Sequence, residues 1–353
     1  MDNNLLSRVR EILKKAYGGA ALSKTDCISL LSMDECSLEA GLVRAAASDI
    51  RRRMHGNAGL IIGQIGVDVK PCAGGCAFCA FAEATTGFGE YRMSREELEL
   101  KTRQFSEYGD LYGLCLMTMH TYDPEHFLQV VANVRNILRP EAQIWVNVGD
   151  TSLDGFREMK AAGVYGVYHV CRLGEGAQTK FSPKDRIRTM ENVKAAGLKL
   201  YTCLEPVGPE HTPEELAENI FLGVDLSADY HAAMRRVAVP GTPLASHGQI
   251  SELRLAHLVA VVALTTLSVP NCHYIAVHEP NLLGCTSGAN NIFAESGANP
   301  RDINPETTGS RGMDMARCRK MLFESGYREL LLGDDRTRVP LTFEYLQATY
   351  SLS

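Results

Sequence analysis

Eight short apolar runs alternate with amphipathic helical stretches along this chain, and few folds accommodate that rhythm. The runs span 60–67, 111–119, 143–148, 164–171, 198–205, 232–239, 274–277 and 289–294. Each is of strand length, and apolar enough to be a strand covered on both faces. Helical periodicity occupies 124–138, 153–162, 183–196, 213–222, 249–267 and 313–325. Another helix starts at Ser94, where Ser94 and Glu97 make a capping-box pattern. Gly163 and Gly197 stand where a helix ends in a left-handed turn before the next strand. Strands separated by helices pair in parallel. The pattern therefore predicts an α/β fold, a (β/α)8 barrel of the TIM type.

Residues 1–55 have helical spacing throughout, with Leu5, Leu6, Val9, Ile12 and Leu13 on one face and Ile28, Leu31 and Leu42 further on. They predict a helical cap before a barrel over 56–330 and a C-terminal tail over 331–353. Residues 299–312, rich in Pro, Asn, Asp and Thr, predict a long surface loop. A chain of 353 residues exceeds what one core usually holds, unless the core is a large α/β barrel.

The formal net charge of −6 argues against a nucleic-acid backbone or an anionic membrane surface as partner. Arg51, Arg52 and Arg53 form the one basic run and are expected on a solvated helix face. Met1-Asp2-Asn3-Asn4 is polar and has no signal-peptide pattern. The longest apolar stretch, 255–269, is broken by His257, Thr265, Thr266 and Ser268 and is too short to cross a bilayer. A cytoplasmic protein with no membrane partner is the expectation. Eleven cysteines are many for a reducing compartment, where disulfides rarely persist, so metal binding is the expected use of several.

Cys72, Cys76 and Cys79 follow the first predicted strand on one short loop that also carries Gly74 and Gly75. The spacing is C-x3-C-x2-C. Three thiolates on such a loop can hold three corners of a cubane iron–sulfur cluster, leaving the fourth iron open for an outside ligand. Zinc would ask for a fourth Cys or His at local spacing, and none follows promptly. The motif, with aromatic Phe78 just before its last cysteine, resembles that of the radical S-adenosylmethionine (SAM) enzymes. The resemblance implies a [4Fe-4S] cluster, SAM as the open-site ligand, and Phe78 beside the adenine. It implies reductive cleavage of SAM to a 5′-deoxyadenosyl radical, and an electron donor such as flavodoxin or ferredoxin.

Three further stretches resemble the biotin synthase branch of that superfamily, which includes the hydrogenase maturase HydE and the methylornithine synthase PylB. They are Glu90-Tyr91-Arg92-Met93-Ser94 before a helix, Gly241-Thr242-Pro243-Leu244, and Gly288-Ala289-Asn290-Asn291-Ile292-Phe293. The similarity covers roughly residues 60–327. Biotin synthases hold a second, sulfur-donating cluster on three Cys and one Arg in the barrel. Cys115 matches the first of those positions, and the others fall near Val146, Tyr201 and Ala276. A differently ligated auxiliary cluster on Cys115, Cys171 and Cys203 stands as one reading, and small buried core residues as the other. Tyr201 and Cys203 share strand parity and can both face the interior. Cys272 and Cys285 are weaker candidates, while Cys27, Cys36 and Cys318 sit in helical segments and are read as structural.

Barrel active sites assemble at strand C-terminal ends. There the resemblance offers Arg172 and Glu175 as contacts for the methionine portion of SAM, with solvated surface as the alternative for Glu175; Glu205, held by a loop capped by Pro and Gly, is expected to hydrogen-bond the ribose or the substrate. In a strand only one of Arg235 and Arg236 can face the lumen, where it needs an anion such as a SAM or substrate carboxylate; a strand edge or tip for both is the alternative reading. Met117, Asn147, Tyr201 and His278 are expected to line the substrate pocket, together with Thr118 and Glu279. The expected activity is hydrogen abstraction from a small molecule in a biotin synthase-like enzyme, with sulfur insertion from an auxiliary cluster. The rivals are a HydE- or PylB-like enzyme without sulfur insertion and a non-catalytic iron–sulfur electron carrier.

Overall fold

The computed structural model describes residues 3–296 and 313–350. The predicted loop at 299–312 lies outside the described residues. Eight strands form the centre: β1 Ala58–Gly66, β2 Gly113–Met117, β3 Gln143–Asn147, β4 Gly166–Tyr168, β5 Lys199–Val207, β6 Tyr230–Arg235, β7 Tyr274–His278 and β8 Asn291–Ser296. Each pairs in parallel with the next. β8 then pairs with β1 from Leu60↔Asn291 to Ile65↔Ser296, which closes the barrel.

A helix follows every strand: α4 Arg95–Ser106, α5 Pro124–Arg135, α6 Leu153–Ala161, α7 Pro183–Ala195, α8 Pro213–Asp225, α9 Glu252–Thr265, the single turn α10 Leu282–Cys285, and α11 Met315–Glu324. These labels leave α1 Asn3–Tyr17, α2 Lys24–Leu31 and α3 Leu38–His55 for the N-terminal helices. Local chemistry starts the helices where the sequence predicts. Ser94 and Glu97 make a reciprocal capping box on α4, and Thr212 and Glu215 make another on α8.

Strand periodicity divides the core into two layers. Ile61, Ile65, Leu114 and Val146 point outward into the layer under the helices, while Leu60, Ile62, Cys115 and Trp145 point into the lumen. Both faces are therefore covered, and all nine residues of β1 are buried. The N-terminal helices pack on the flank of the barrel, α3 against α9 and α2 against α8 and α9. No helix among the described residues is long and apolar enough to cross a membrane. The apolar α9 is instead buried almost throughout, between those helices and β6 and β7.

Several expectations need correction. The basic run is not wholly a solvated face: Arg53 is exposed, but Arg51 is 1 % exposed and donates to the carbonyls of Ala263 and Cys272 and the hydroxyl of Thr266. Ala263 and Thr266 belong to the C-terminal turn and cap of α9, where a cation complements the helix dipole. Cys36 lies exposed in the turn between α2 and α3, not in a helix. β6 ends at Arg235 and not at residue 239, and β4 is only three residues long. The segment read as a tail is folded onto the barrel. Glu329–Leu331 pairs beside β1 and turns back as Arg338–Pro340, and a last helix, α12, spans Phe343–Tyr350. Between the two short strands Asp335 accepts hydrogen bonds from Tyr112 and Tyr274, each 2.7 Å, and closes the barrel base.

Candidate active site

A cavity opens at the C-terminal ends of the strands and runs into the lumen; it holds about 1450 Å³, counting the part open to solvent. The loop after β1 makes one wall. A two-residue hairpin, Asp68–Val69 against Tyr91–Arg92, pinches the loop at its neck. Cys72 N–H donates to Phe81 O at 2.8 Å, and Glu83 N–H returns to Cys72 O at 3.0 Å. Gly75 takes φ +58°, a conformation glycine adopts without penalty. Leu244 N–H donates to Ala77 O at 3.0 Å, so the Gly241-Thr242-Pro243-Leu244 stretch braces the same loop.

This folding brings Cys72, Cys76, Cys79 and Phe78 to the cavity surface together. Burial pushes the thiol of Cys79 up to about 12, and that of Cys76 upward too; the neighbouring thiols add to both shifts. Buried thiols of this kind favour their neutral form until a bound cation inverts the balance. Among the described residues, no group of three or more His, Cys, Asp or Glu is spaced to hold a single metal ion. Three thiolates bound to separate irons of a cubane need not converge on one point, so the donor set fits a cluster better than zinc.

β4 and β5 supply the opposite wall. Arg172 Nε meets Glu205 Oε1 at 2.9 Å, and Tyr168 donates its hydroxyl to the other carboxylate oxygen. Burial works against the Arg172 charge, but Glu205 and Glu175 more than compensate and raise its pKa above the ordinary value. Glu175 itself does not line the cavity, and the surface reading fails as well. Its side chain is 1 % exposed and accepts from Arg172 N–H at 3.0 Å and Thr179 Oγ1 at 2.6 Å.

β6 and β7 carry the charges of the third side. Arg235 Nε pairs with Glu279 at 2.9 Å, and Arg236 makes a two-point pair with Glu210. Both arginines reach the cavity, since the strand ends at Arg235 and frees Arg236 from alternation. Met117, Thr118, Asn147, Tyr201 and His278 line it too, whereas Glu279, expected with them, does not. The Tyr201 hydroxyl lies 3.4 Å from His278 Nε2, and the His278 ring sits 4.8 Å from Phe293.

No protein-family model matches the chain. It is 26% identical over 268 residues to biotin synthase of Trichlorobacter lovleyi, covering 72% of this chain and 77% of that protein. Biotin synthase of Kocuria rhizophila is 24% identical over 260 residues, covering 71% of this chain and 55% of that one. Among solved structures, methylornithine synthase PylB matches with a TM-score of 0.75 at 18% identity, over 89% of this chain and 96% of that one. The hydrogenase maturase HydG of Carboxydothermus hydrogenoformans matches with a TM-score of 0.76 at 15% identity, over 95% and 82%. The chain is thus similar in sequence to biotin synthases and shares its fold with PylB and HydG.

The fold separates the candidates for a second cluster. Cys115 lines the cavity. Cys203 is buried in the lumen layer but off the cavity surface. Cys171 lies in the outer layer, its Sγ turned toward Pro183 O at 4.0 Å. Cys272 and Cys285 are in the outer layer as well.

Other cavity residues of this barrel escape a sequence reading. Asp68, two residues past β1, faces the cavity and accepts from Met119 N–H at 2.7 Å; burial holds its carboxyl above the usual range. His120, Phe181 and Arg186 line the cavity from loops and from α7. Strand-end logic could have found Asp68 and His120, two and three residues beyond their strands. Arg186 and Phe181 carry no sequence signal of which way they point. Behind them Asp150 accepts from Arg186 Nη1 at 3.0 Å and lies 3.1 Å from His169 Nε2. Burial opposes the Asp150 charge, yet His169 and Arg186 hold its carboxyl well below the ordinary range.

Proposed function

We propose that this radical SAM enzyme holds one [4Fe-4S] cluster on Cys72, Cys76 and Cys79 and binds SAM against it. Its substrate is a small zwitterion in the lumen, from which a hydrogen atom is taken without sulfur insertion. The supporting observation is a single cavity that joins the three loop thiols to the Arg172–Glu205 pair and to the lumen. When bound, such a cluster with SAM supplies one-electron cleavage of the sulfonium, giving methionine and a 5′-deoxyadenosyl radical.

The chain's own residues position and shield. Arg172, fixed by Glu205, keeps further N–H groups for the carboxylate of SAM. Phe78 offers its ring to the adenine. Arg235, paired with Glu279, sets a cation at the cavity surface, which complements the carboxylate of an amino acid. The apolar lumen around Met117, Tyr201, His278 and Phe293 keeps water and stray reductants from a radical. An outside one-electron donor, flavodoxin or ferredoxin, completes the scheme. The structural match to a methylornithine synthase supports the amino-acid reading.

Sulfur insertion is the second reading. Similarity to biotin synthases and the cavity position of Cys115 favour it; the scatter of Cys171 and Cys203 opposes it. Anaerobic reconstitution followed by iron and sulfide analysis separates the two. About four irons per chain support the single cluster, and clearly more support the sulfur-inserting enzyme. Formation of 5′-deoxyadenosine from SAM by reduced protein excludes a plain electron carrier.

A further inference from the structure

We infer that residues 174–182, the loop after β4, are a clasp that sets the shape of the cysteine loop, with Phe181 as the contact and Arg186 as the positioning residue behind it. The reading of 72–79 as a cluster loop supplies the clasp's purpose; the contacts stand without it.

Three contacts join the two loops. Lys180 N–H donates to Gly74 O, and Ala77 N–H donates to Gln178 O, each at 2.9 Å. The Phe181 ring presses on Gly74 so closely that a Cβ there would lie 2.2 Å from it. Glycine at 74 is thus demanded by the ring and not by backbone torsion. The far side of Phe181 stacks against His120 at 4.1 Å, so the ring is wedged between the β1 and β2 loops.

The clasp is in turn held to the barrel by a buried charge node. Arg186, on α7 and 5 % exposed, lies 4.9 Å from the Phe181 ring centre. It donates to Asp150 Oδ1 at 3.0 Å after β3 and faces Glu175 Oε2 at 3.5 Å in the clasp. Thr179 ties the loop to itself, donating to Glu175 at 2.6 Å and accepting from Gly176 and Phe181 N–H. Glu175 also accepts from Arg172 N–H, which links the clasp to the residue assigned to SAM. A planar arginine fork suits this site, for it meets two carboxylates and an aromatic face at once. None of these groups is a proposed metal ligand. Their part is to remove freedom from a loop whose thiols must hold fixed positions in a cluster.

Hydrogen exchange on the metal-free, full-length protein tests this directly. Phe181→Ala keeps every buried charge paired. It is expected to speed exchange at Ala77 and Lys180 about tenfold or more, while β1 and α7 exchange as in the wild type. Arg186→Met should do the same with some loss of overall stability, and Arg186→Lys should recover part of the protection. If Phe181→Ala exchanges like wild type at these amides, the clasp is wrong, whatever Arg186→Met does. A second readout, iron retained against a chelator after anaerobic reconstitution, tests the purpose. Several-fold faster loss in Phe181→Ala supports it, and equal loss overturns it. A wild type that takes up no iron sinks the cluster reading instead and leaves the exchange result to judge the clasp.

Discussion

Glu205 is the side chain on which most of the polar geometry of the cavity turns. It is 2 % exposed and bonded to Arg172 and Tyr168. Burying a carboxylate is tolerable only while those partners remain. Glu205→Gln keeps the shape and removes the charge, leaving the half-buried Arg172 guanidinium without its anion. The expected cost is about 3 kcal/mol of folding stability, measured by denaturant unfolding. SAM binding should weaken at least about tenfold by equilibrium dialysis of the reconstituted protein. Unchanged binding would mean that Arg172 is structural. At this scale the sequence was partly legible. Strand-end position found Arg172, Glu205, Asn147 and His278, and residue chemistry suggested an anion for Arg235. The pattern could not show that Glu175 turns away from the cavity into the clasp, because that depends on the path of an irregular loop. Nor could it separate Arg51 from Arg52 and Arg53, whose fates depend on which face α3 gives to α9.

Among the elements, β3 and β4 show how strongly the lumen dictates strand sequence. Trp145 on β3 fills the barrel interior, edge-on to Tyr230 at 4.6 Å. Its neighbour Gly166 on β4 leaves room for the indole, since a Cβ there would lie 2.3 Å from the ring. Gly166→Ala must push Trp145 into a packed layer, and should cost about 1–3 kcal/mol, seen as a lower denaturation midpoint with changed tryptophan fluorescence. A neutral effect would mean that the layer has slack. Trp145 is the single tryptophan, so the fluorescence reports this site alone. The element pattern itself was largely readable: the helix periods and the stops at Gly163 and Gly197 reproduce the observed barrel order. Boundaries were not. β4 pairs over three residues, because a strand beginning beside Trp145 and ending in the Arg172 loop has little length left to pair. The short strands at 329–331 and 338–340 lack an apolar run long enough to see.

For the molecule as a whole, burial of neutral histidines makes acid the weak point. Burial lowers His55 to about 3, and His169, His231 and His257 to about 4; nearby cations lower His55 further, and a bond to Asp150 partly offsets the shift in His169. A histidine whose folded pKa lies below its unfolded value near 6.5 favours folding fully above that pH. Its contribution is lost as pH falls toward the folded pKa. Stability should therefore decline between about pH 6.5 and 4.5, before most carboxylates titrate, with each such histidine adding up to about 1.4 kcal/mol per pH unit. Denaturant midpoints across that window check it, and a flat profile contradicts it. The C-terminal segment that seals the barrel base and the loops that clasp the site are joined by contacts far apart in sequence, which a one-dimensional pattern does not reveal. What the sequence did show was the cysteine loop and the barrel that presents it. The most direct test of the central claim is iron binding by single Cys→Ala variants after anaerobic reconstitution. Loss of iron and of its visible absorbance with Cys72, Cys76 or Cys79, and retention with Cys115, Cys171 or Cys203, is predicted. Retention in the first set, or loss confined to the second, would contradict it.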